Sequence, residues 1–153
     1  MLSVPIRGDG IIDEKERQIV EEIATWMGRY GEAIYGTRPW RLHGEGSTVN
    51  GGGAFSEGGQ DSTYTAKDVR YVTRDGAVHA LVLGCPADGK VRLTLLGSSN
   101  PVGRGEARRV TLPGSQTPLS FTRSADALEV RVPDTGRNSI GLALVINGVG
   151  LTA

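Results

Sequence analysis

One cysteine, Cys85, stands alone among 153 residues, so the chain can close no disulfide on itself. Two histidines beside that cysteine fall short of the four Cys/His ligands that structural zinc sites commonly use. Neither a metal nor any other cofactor is expected. An excess of one charge sign is also missing: Lys plus Arg and Asp plus Glu are 17 each. A nucleic-acid surface needs a basic excess, so nucleic acid is not an expected partner. No apolar run approaches the roughly 20 residues that a membrane-spanning helix requires, so no membrane contact is expected either. Met1 to Gly10 has no basic segment followed by a sustained apolar stretch and does not read as a signal peptide. A protein expressed as it stands is expected in the cytoplasm, and the sequence leaves the compartment otherwise open.

Glycine is what the chain has in quantity. Its 23 glycines point to a loop-rich, β body, and 38% hydrophobic residues suffice for a packed core. The length fits one domain with a short appendage. Met1 to Ile6 is short and apolar and reads as the end of a buried strand, followed by a tight turn at Arg7-Gly8-Asp9-Gly10. Asp13 with Glu16 three residues later resembles a capping box. Ile19, Val20, Ile23, Trp26, Met27 and Tyr30 then follow helical spacing on one stripe, with Gly31 as the expected stop.

Beyond the helix the period changes. Pro39 to Ser62 reads as loops, with a short strand around Trp40 to His43. Short runs bounded by turn residues follow. Asp68–Arg74 and Ala77–Gly84 flank Asp75-Gly76, the strongest hairpin signal in the sequence. Val91–Leu96, Arg108–Leu112, Leu119–Arg123, Leu128–Val132 and Ser139–Asn147 complete the set. Leu128, Val130 and Val132 alternate with Glu129 and Arg131, which gives that strand one wet face. Ala77–Gly84 and Ile140–Ile146 are apolar on both faces and read as central strands. The expected fold is mainly β: an antiparallel β-sandwich of about seven or eight strands preceded by one amphipathic α-helix.

Three stretches carry a resemblance. They are Leu2 to Asp13 (LSVPIRGDGIID), Trp26 to Trp40 with the run GEAIYGTRPW inside it, and Tyr64 to Tyr71 (YTAKDVRY). Together, and in this order, they resemble α-L-fucosidases of glycoside hydrolase family 29. The long run ending in Arg38-Pro39-Trp40 is the most specific of the three. Two departures touch only turn geometry: Tyr30 stands where asparagine is common, and Ser47 where proline is usual.

The resemblance implies that residues 1–36 are the last strand end, loop and helix of a (β/α)8-like barrel, and that 37–153 form a C-terminal sandwich. The parent activity it implies is retaining hydrolysis of terminal α-L-fucosyl linkages. In that family the nucleophilic Asp, the acid/base Glu and the fucose-binding histidines lie upstream of the region matched, so no residue of this chain inherits a catalytic role. The chain is expected to be a piece of a degenerate or interrupted gene, or of a longer protein, that supports a barrel supplied in cis or as a separate chain. The alternatives are a stand-alone carbohydrate-binding module, with fucosylated glycan as partner, and, third, an enzyme in its own right.

Candidate residues follow from this frame. Ile19, Ile23, Trp26, Met27, Arg38, Trp40 and Glu45 are candidates for the barrel interface, and Arg7 and Asp9 for the rim of an active site. Self-association is the other way to cover the helix stripe, since an apolar face that wide seeks a partner. Trp40, His43 and Glu45 also have the aromatic-plus-polar make-up of a sugar platform, although fixing the sandwich to the barrel is the simpler reading. A retaining glycosidase needs two carboxyls about 5 Å apart. The acids here mostly suit other work: Asp13, Glu14 and Glu16 a helix N-terminus, Asp75 and Asp88 turns. His79 sits in an apolar strand and reads as a core or interface residue, and Cys85 has no activating base placed beside it. Gly51-Gly52-Gly53 lacks the Lys-Ser/Thr of a phosphate loop.

Overall fold

The computed structural model describes residues 4–48, 64–134 and 140–152. The glycine run at 51–53, the first residues of the Leu2 motif and the start of the last expected strand at Ser139 lie outside them.

Asp13 begins the helix as the sequence suggests. In extended conformation, it accepts the backbone N–H of Lys15 (3.0 Å) and caps α1, Glu14–Tyr30, whose first turn carries Glu14 and Glu16. The α-helix stops where the sequence suggests, with Gly31 as its C-cap, but without the left-handed turn such a glycine often makes. Gly31 keeps a right-handed helical φ of −59°, and the chain tightens into a 3-10 turn, Gly31–Ala33. The reversal comes at Gly36, whose φ of 69° belongs to the left-handed region. Ahead of the helix, Val4 to Ile6 forms no strand, and Ile6 is 68% exposed.

Among the described residues eight strands follow, in two antiparallel sheets. One sheet has the order β1-β2-β3-β8-β5: β1 Arg38–Glu45, β2 Val69–Arg74, β3 Ala77–Val82, β8 Leu142–Val149, β5 Glu106–Thr111. The other has the order β4-β7-β6: β4 Lys90–Leu93, β7 Leu128–Arg131, β6 Phe121–Arg123. The Asp75-Gly76 hairpin joins β2 to β3 with both residues at positive φ (50° and 78°), the geometry whose twist matches the strands. The expected strand around Trp40 is longer than the sequence suggests and contains an irregularity between Pro39 and Gly44. Gly44 is required there, because a Cβ would sit 2.3 Å from the Val69 carbonyl oxygen of the neighbouring strand.

Register sorts the faces. Val78, Ala80 and Val82 of β3 lie opposite Ile146, Leu144 and Leu142 of β8, and Tyr71 and Val69 of β2 continue the rows. These side chains meet Val91, Leu93, Leu128 and Val130 of the smaller sheet in the core. β7 shows the expected alternation, with Leu128 and Val130 buried and Arg131 exposed. β3 is buried at all six positions, as a central strand should be. Its outward residues, Ala77, His79 and Leu81, are covered because the 3-10 turn packs on β3 and β8 from outside.

Candidate functional site

The helix stripe is docked at one end only. Tyr30 is fully buried and stacks at a tilt on Trp26, with 5.2 Å between ring centroids. Trp26 is half-buried, and its indole Nε1 donates to the Gly141 carbonyl (3.0 Å), just before β8. Ile23 and Met27 are half-buried, and Ile19, toward the free end, is 43% exposed. Ile19, Ile23, Trp26 and Met27 therefore share one surface, whose C-terminal end is seated and whose N-terminal end faces outward.

Arg38 is exposed, and its guanidinium returns to the Thr37 carbonyl (3.0 Å). Trp40 and Glu45 are brought together by Tyr71. The Trp40 ring, 6% exposed, lies 5.0 Å from Tyr71, and its Nε1 donates to the Leu151 carbonyl (2.7 Å). The Tyr71 hydroxyl donates to Glu45 Oε1 (2.5 Å). The same carboxylate accepts the backbone N–H groups of Thr94 (3.0 Å) and Leu95 (3.1 Å) and the Thr94 hydroxyl. Glu45 thus ties β1 to the chain that leaves β4, across the open edge between the sheets. Burial, followed by the neighbouring Glu45 charge, pushes the Tyr71 phenol well above its ordinary pKa. His43 is exposed and stands apart from this cluster.

Arg7 and Asp9 form a self-contained turn. Arg7 N–H donates to the Ile11 carbonyl and Gly10 N–H to the Arg7 carbonyl (2.9 Å each), while Asp9 Oδ1 accepts Ile11 N–H (3.1 Å). The Arg7 and Asp9 side chains approach to 3.9 Å and are both exposed. His79 is 1% exposed within β3, and burial holds its imidazole below the ordinary pKa.

Three polar anchors carried no motif that singled them out. Asp68 is fully buried and accepts four hydrogen bonds, from the N–H and hydroxyl of Thr48 and of Thr65. Its pKa falls to about 2, chiefly through the Thr65 N–H and, against the cost of burial, the Thr48 groups. Its available signals were the spacing Thr65-x-x-Asp68 and its place inside the Tyr64 to Tyr71 stretch. Arg41 donates to the carbonyls of Val102, Arg104 and Gly150, and Arg123 to those of Leu96, Gly103 and Gly105. Each arginine fork satisfies loop carbonyls that strand pairing leaves over. Among the described residues no three His, Cys, Asp or Glu side chains converge as a metal-ligand set, and no helix is long and apolar enough to cross a membrane.

Known proteins place this architecture. Residues 60–146 match the family model described as the alpha-L-fucosidase C-terminal domain. Tissue alpha-L-fucosidase of Rattus norvegicus is 28% identical over 130 residues, covering 84% of this chain and 22% of that protein. Plasma alpha-L-fucosidase of the same organism is 30% identical over 116 residues, covering 76% and 21%. The chain thus spans about a fifth of the length of these relatives. Among solved structures, Thermotoga maritima alpha-fucosidase in complex with a mechanism-based inhibitor superposes with a TM-score of 0.65 at 24% identity, over 95% of this chain and 29% of that one. An alpha-L-fucosidase GH29 from Bacteroides thetaiotaomicron, trapped as a covalent intermediate, gives 0.58 at 16% identity, over 95% and 27%. Both superpositions establish a shared fold, and with the family match over more than half its length, the chain belongs to the alpha-L-fucosidase C-terminal domain family.

Proposed function

We propose that this chain is the non-catalytic C-terminal module of an α-L-fucosidase, and that it supports a catalytic barrel preceding it in the same polypeptide. The parent reaction is retaining hydrolysis of terminal α-L-fucosyl linkages. Residues 1–36 belong to the barrel's last unit and 37–153 to the sandwich. The Arg7–Asp9 turn then sits toward the barrel mouth. The observation that carries the reading is the helix face: Ile19, Ile23 and Met27 extend an apolar surface beyond the seated end at Trp26 and Tyr30. Fully burying one large apolar side chain is worth roughly 1.5–3 kcal/mol, so a barrel laid against that face would gain from covering it. Trp40 and Glu45 serve the same junction from within, by fixing the first strand after the helix. With its indole ring 6% exposed, Trp40 leaves no face for stacking a sugar, which weighs against the stand-alone module.

The test has two arms. The purified chain is expected not to hydrolyse an aryl α-L-fucoside; turnover abolished by a single Asp→Asn or Glu→Gln change overturns the non-catalytic assignment. Without a barrel the helix face is expected to self-associate, and Ile23→Asp with Trp26→Glu to reduce the mass seen by light scattering. Ile19→Asp, at the exposed end, gives the same reading without touching the seated turn. A clean wild-type monomer whose mass and stability neither variant alters rules out the face as a contact surface.

A further inference from the structure

The outer face of the five-stranded sheet holds a cleft of about 500 Å³, within the range of small-molecule sites. Register explains its shape. Arg74 of β2 pairs with Ala77 of β3, the β3–β8 register continued by one residue puts Asn147 beside Ala77, and Asn147 pairs with Arg109 of β5. Two arginines therefore stand at the ends of one row across four strands, roughly 14 Å apart at Cα from the usual strand spacing, with two short side chains between them. The next row supplies the rest of the floor, His79 flanked by Val145. A wall is closed by Glu32 of the 3-10 turn, whose Oε2 accepts Gly114 N–H (3.1 Å) from the far side.

The cleft carries hydrogen-bonding capacity that the fold leaves unspent. Arg74 uses Nε on Asp75 (3.1 Å) and Nη1 on the carbonyls of Glu32 and Tyr35 (3.3 Å each). Arg109 uses Nη2 on the Gln116 carbonyl and side chain. Among the described residues, Nη2 of Arg74 and both Nε and Nη1 of Arg109 have no partner, and neither has the buried Nδ1 of His79. Of these only His79 Nδ1 is buried, and an unpaired buried polar group calls for an explanation; the arginine donors are open to water and so to a ligand. Formal charge across the lining cancels, Arg74 and Arg109 against Glu32 and Asp75. Arg74 is already ion-paired with Asp75, whereas Arg109 has no ion pair among the described residues, so the cleft offers one uncompensated guanidinium, which suits one added negative charge better than a phosphate dianion. Among the described residues no Phe, Tyr or Trp lines the cleft and the His79 ring is buried, so a neutral sugar finds no exposed stacking platform, while Thr111, Ser115, Gln116 and Asn147 offer partners for hydroxyls.

We propose that this cleft binds a small hydroxylated monocarboxylate, of the size of an acidic monosaccharide, with its carboxylate held by Arg109 and Arg74. The proposal does not rest on the barrel contact. Titration of the isotope-labelled chain with glucuronate, followed by two-dimensional NMR, is expected to give saturable shifts at the amides of Thr111, Gly114 and Asn147. Arg109→Gln removes the free fork and is expected to weaken binding about tenfold or more, the worth of one hydrogen bond to a charged group. Asn147→Asp, which puts a negative charge on the floor, is expected to abolish binding, and Arg131→Gln on the opposite sheet to leave it unchanged. Absence of saturable shifts, equal shifts with glucose or inorganic phosphate, or full affinity in Arg109→Gln overturns the assignment.

Discussion

Replacing Glu45 by alanine tests whether the junction strand is held from inside the sandwich. The carboxylate receives the Tyr71 hydroxyl at 2.5 Å and the N–H groups of Thr94 and Leu95 at 3.0 and 3.1 Å. Tyr71 is 1% exposed, so its hydroxyl would be stranded in the core, while Thr94 is exposed and regains water. A stranded buried donor costs about 1–3 kcal/mol, and hydrogen bonds to a charged acceptor are worth about 1.5–3 kcal/mol each. Since water replaces part of this at Thr94, the expected loss is about 2–4 kcal/mol. For a chain of this size each kcal/mol lowers Tm by about 2–4 °C, which gives a fall of about 5–15 °C by calorimetry. Tyr71→Phe removes the hydroxyl without stranding anything and should cost about 1 kcal/mol. The double variant should therefore cost less than the sum of the two, with a coupling of about 1–2 kcal/mol. If Glu45→Ala changes stability by less than about 0.5 kcal/mol, the usual range of a surface substitution, and the cycle is additive, the internal tie is refuted. Glu45 would then act only through a surface outside the sandwich, to which the chain by itself is indifferent.

Two further outcomes follow. Asp68, lowered from 3.8 to about 2, is ionised in the folded chain at pH values where the unfolded chain protonates it, so its contribution is present above pH 3.8 and lost as pH falls toward 2; urea unfolding between those values should show a slope that Asp68→Asn reduces, and an unchanged slope in the variant would contradict the four-bond clasp. Trp26→Phe keeps an aromatic ring on Tyr30 but loses the bond to the Gly141 carbonyl, so it should cost about 1 kcal/mol and speed hydrogen exchange in the last turn of α1 relative to β3; equal exchange would show that the indole does not seat the helix.

Much of the fold was legible because pattern and packing agreed. Asp75-Gly76 marks its hairpin since both positions need positive φ, and the Leu128–Val130 alternation marks a half-wet strand. The helix stop at Gly31 was legible, but the chain reversal was not: a 3-10 turn intervenes, and φ turns positive only at Gly36, five residues on. The length of β1 was hidden by its irregularity: Arg38 to Glu45 breaks the period-two pattern between Pro39 and Gly44, so only its centre reads as a strand. The helix face was readable from spacing. The roles of Arg41 and Arg123 were not, because their partners are backbone carbonyls far along the chain, which have no sequence signature; Glu45 and Asp68 were hidden because most of their partners, Tyr71, Thr94, Leu95 and Thr48, lie 20 or more positions away. The cleft was equally hidden. Arg74 and Arg109 are 35 positions apart and meet only through the register of four strands.

The two-sided apolarity of β3 and β8 links the sandwich to its interface. A two-layer sandwich needs apolar side chains on one face of each strand only. Leu81, Ala143 and Val145 are buried on the outer face, where the smaller sheet cannot reach them. What covers that side among the described residues is the end of α1 and the 3-10 turn, through Tyr30, Ala33 and the Trp26 bond to Gly141. The helix is therefore a third layer at its C-terminal end and an open apolar surface toward its N-terminal end. Glu14–Tyr30 is one continuous helix, so a load on its N-terminal end is carried to its seat. A partner that grips Ile19 and Ile23 would press on the seat of the outer sheet face, and loss of the seat would displace the partner surface. If the proposed barrel lies against this face, stability of the sandwich and affinity for the barrel are coupled through the 17 residues of α1, so that a substitution at Trp26 should disturb both, and one at Ile19 the contact alone.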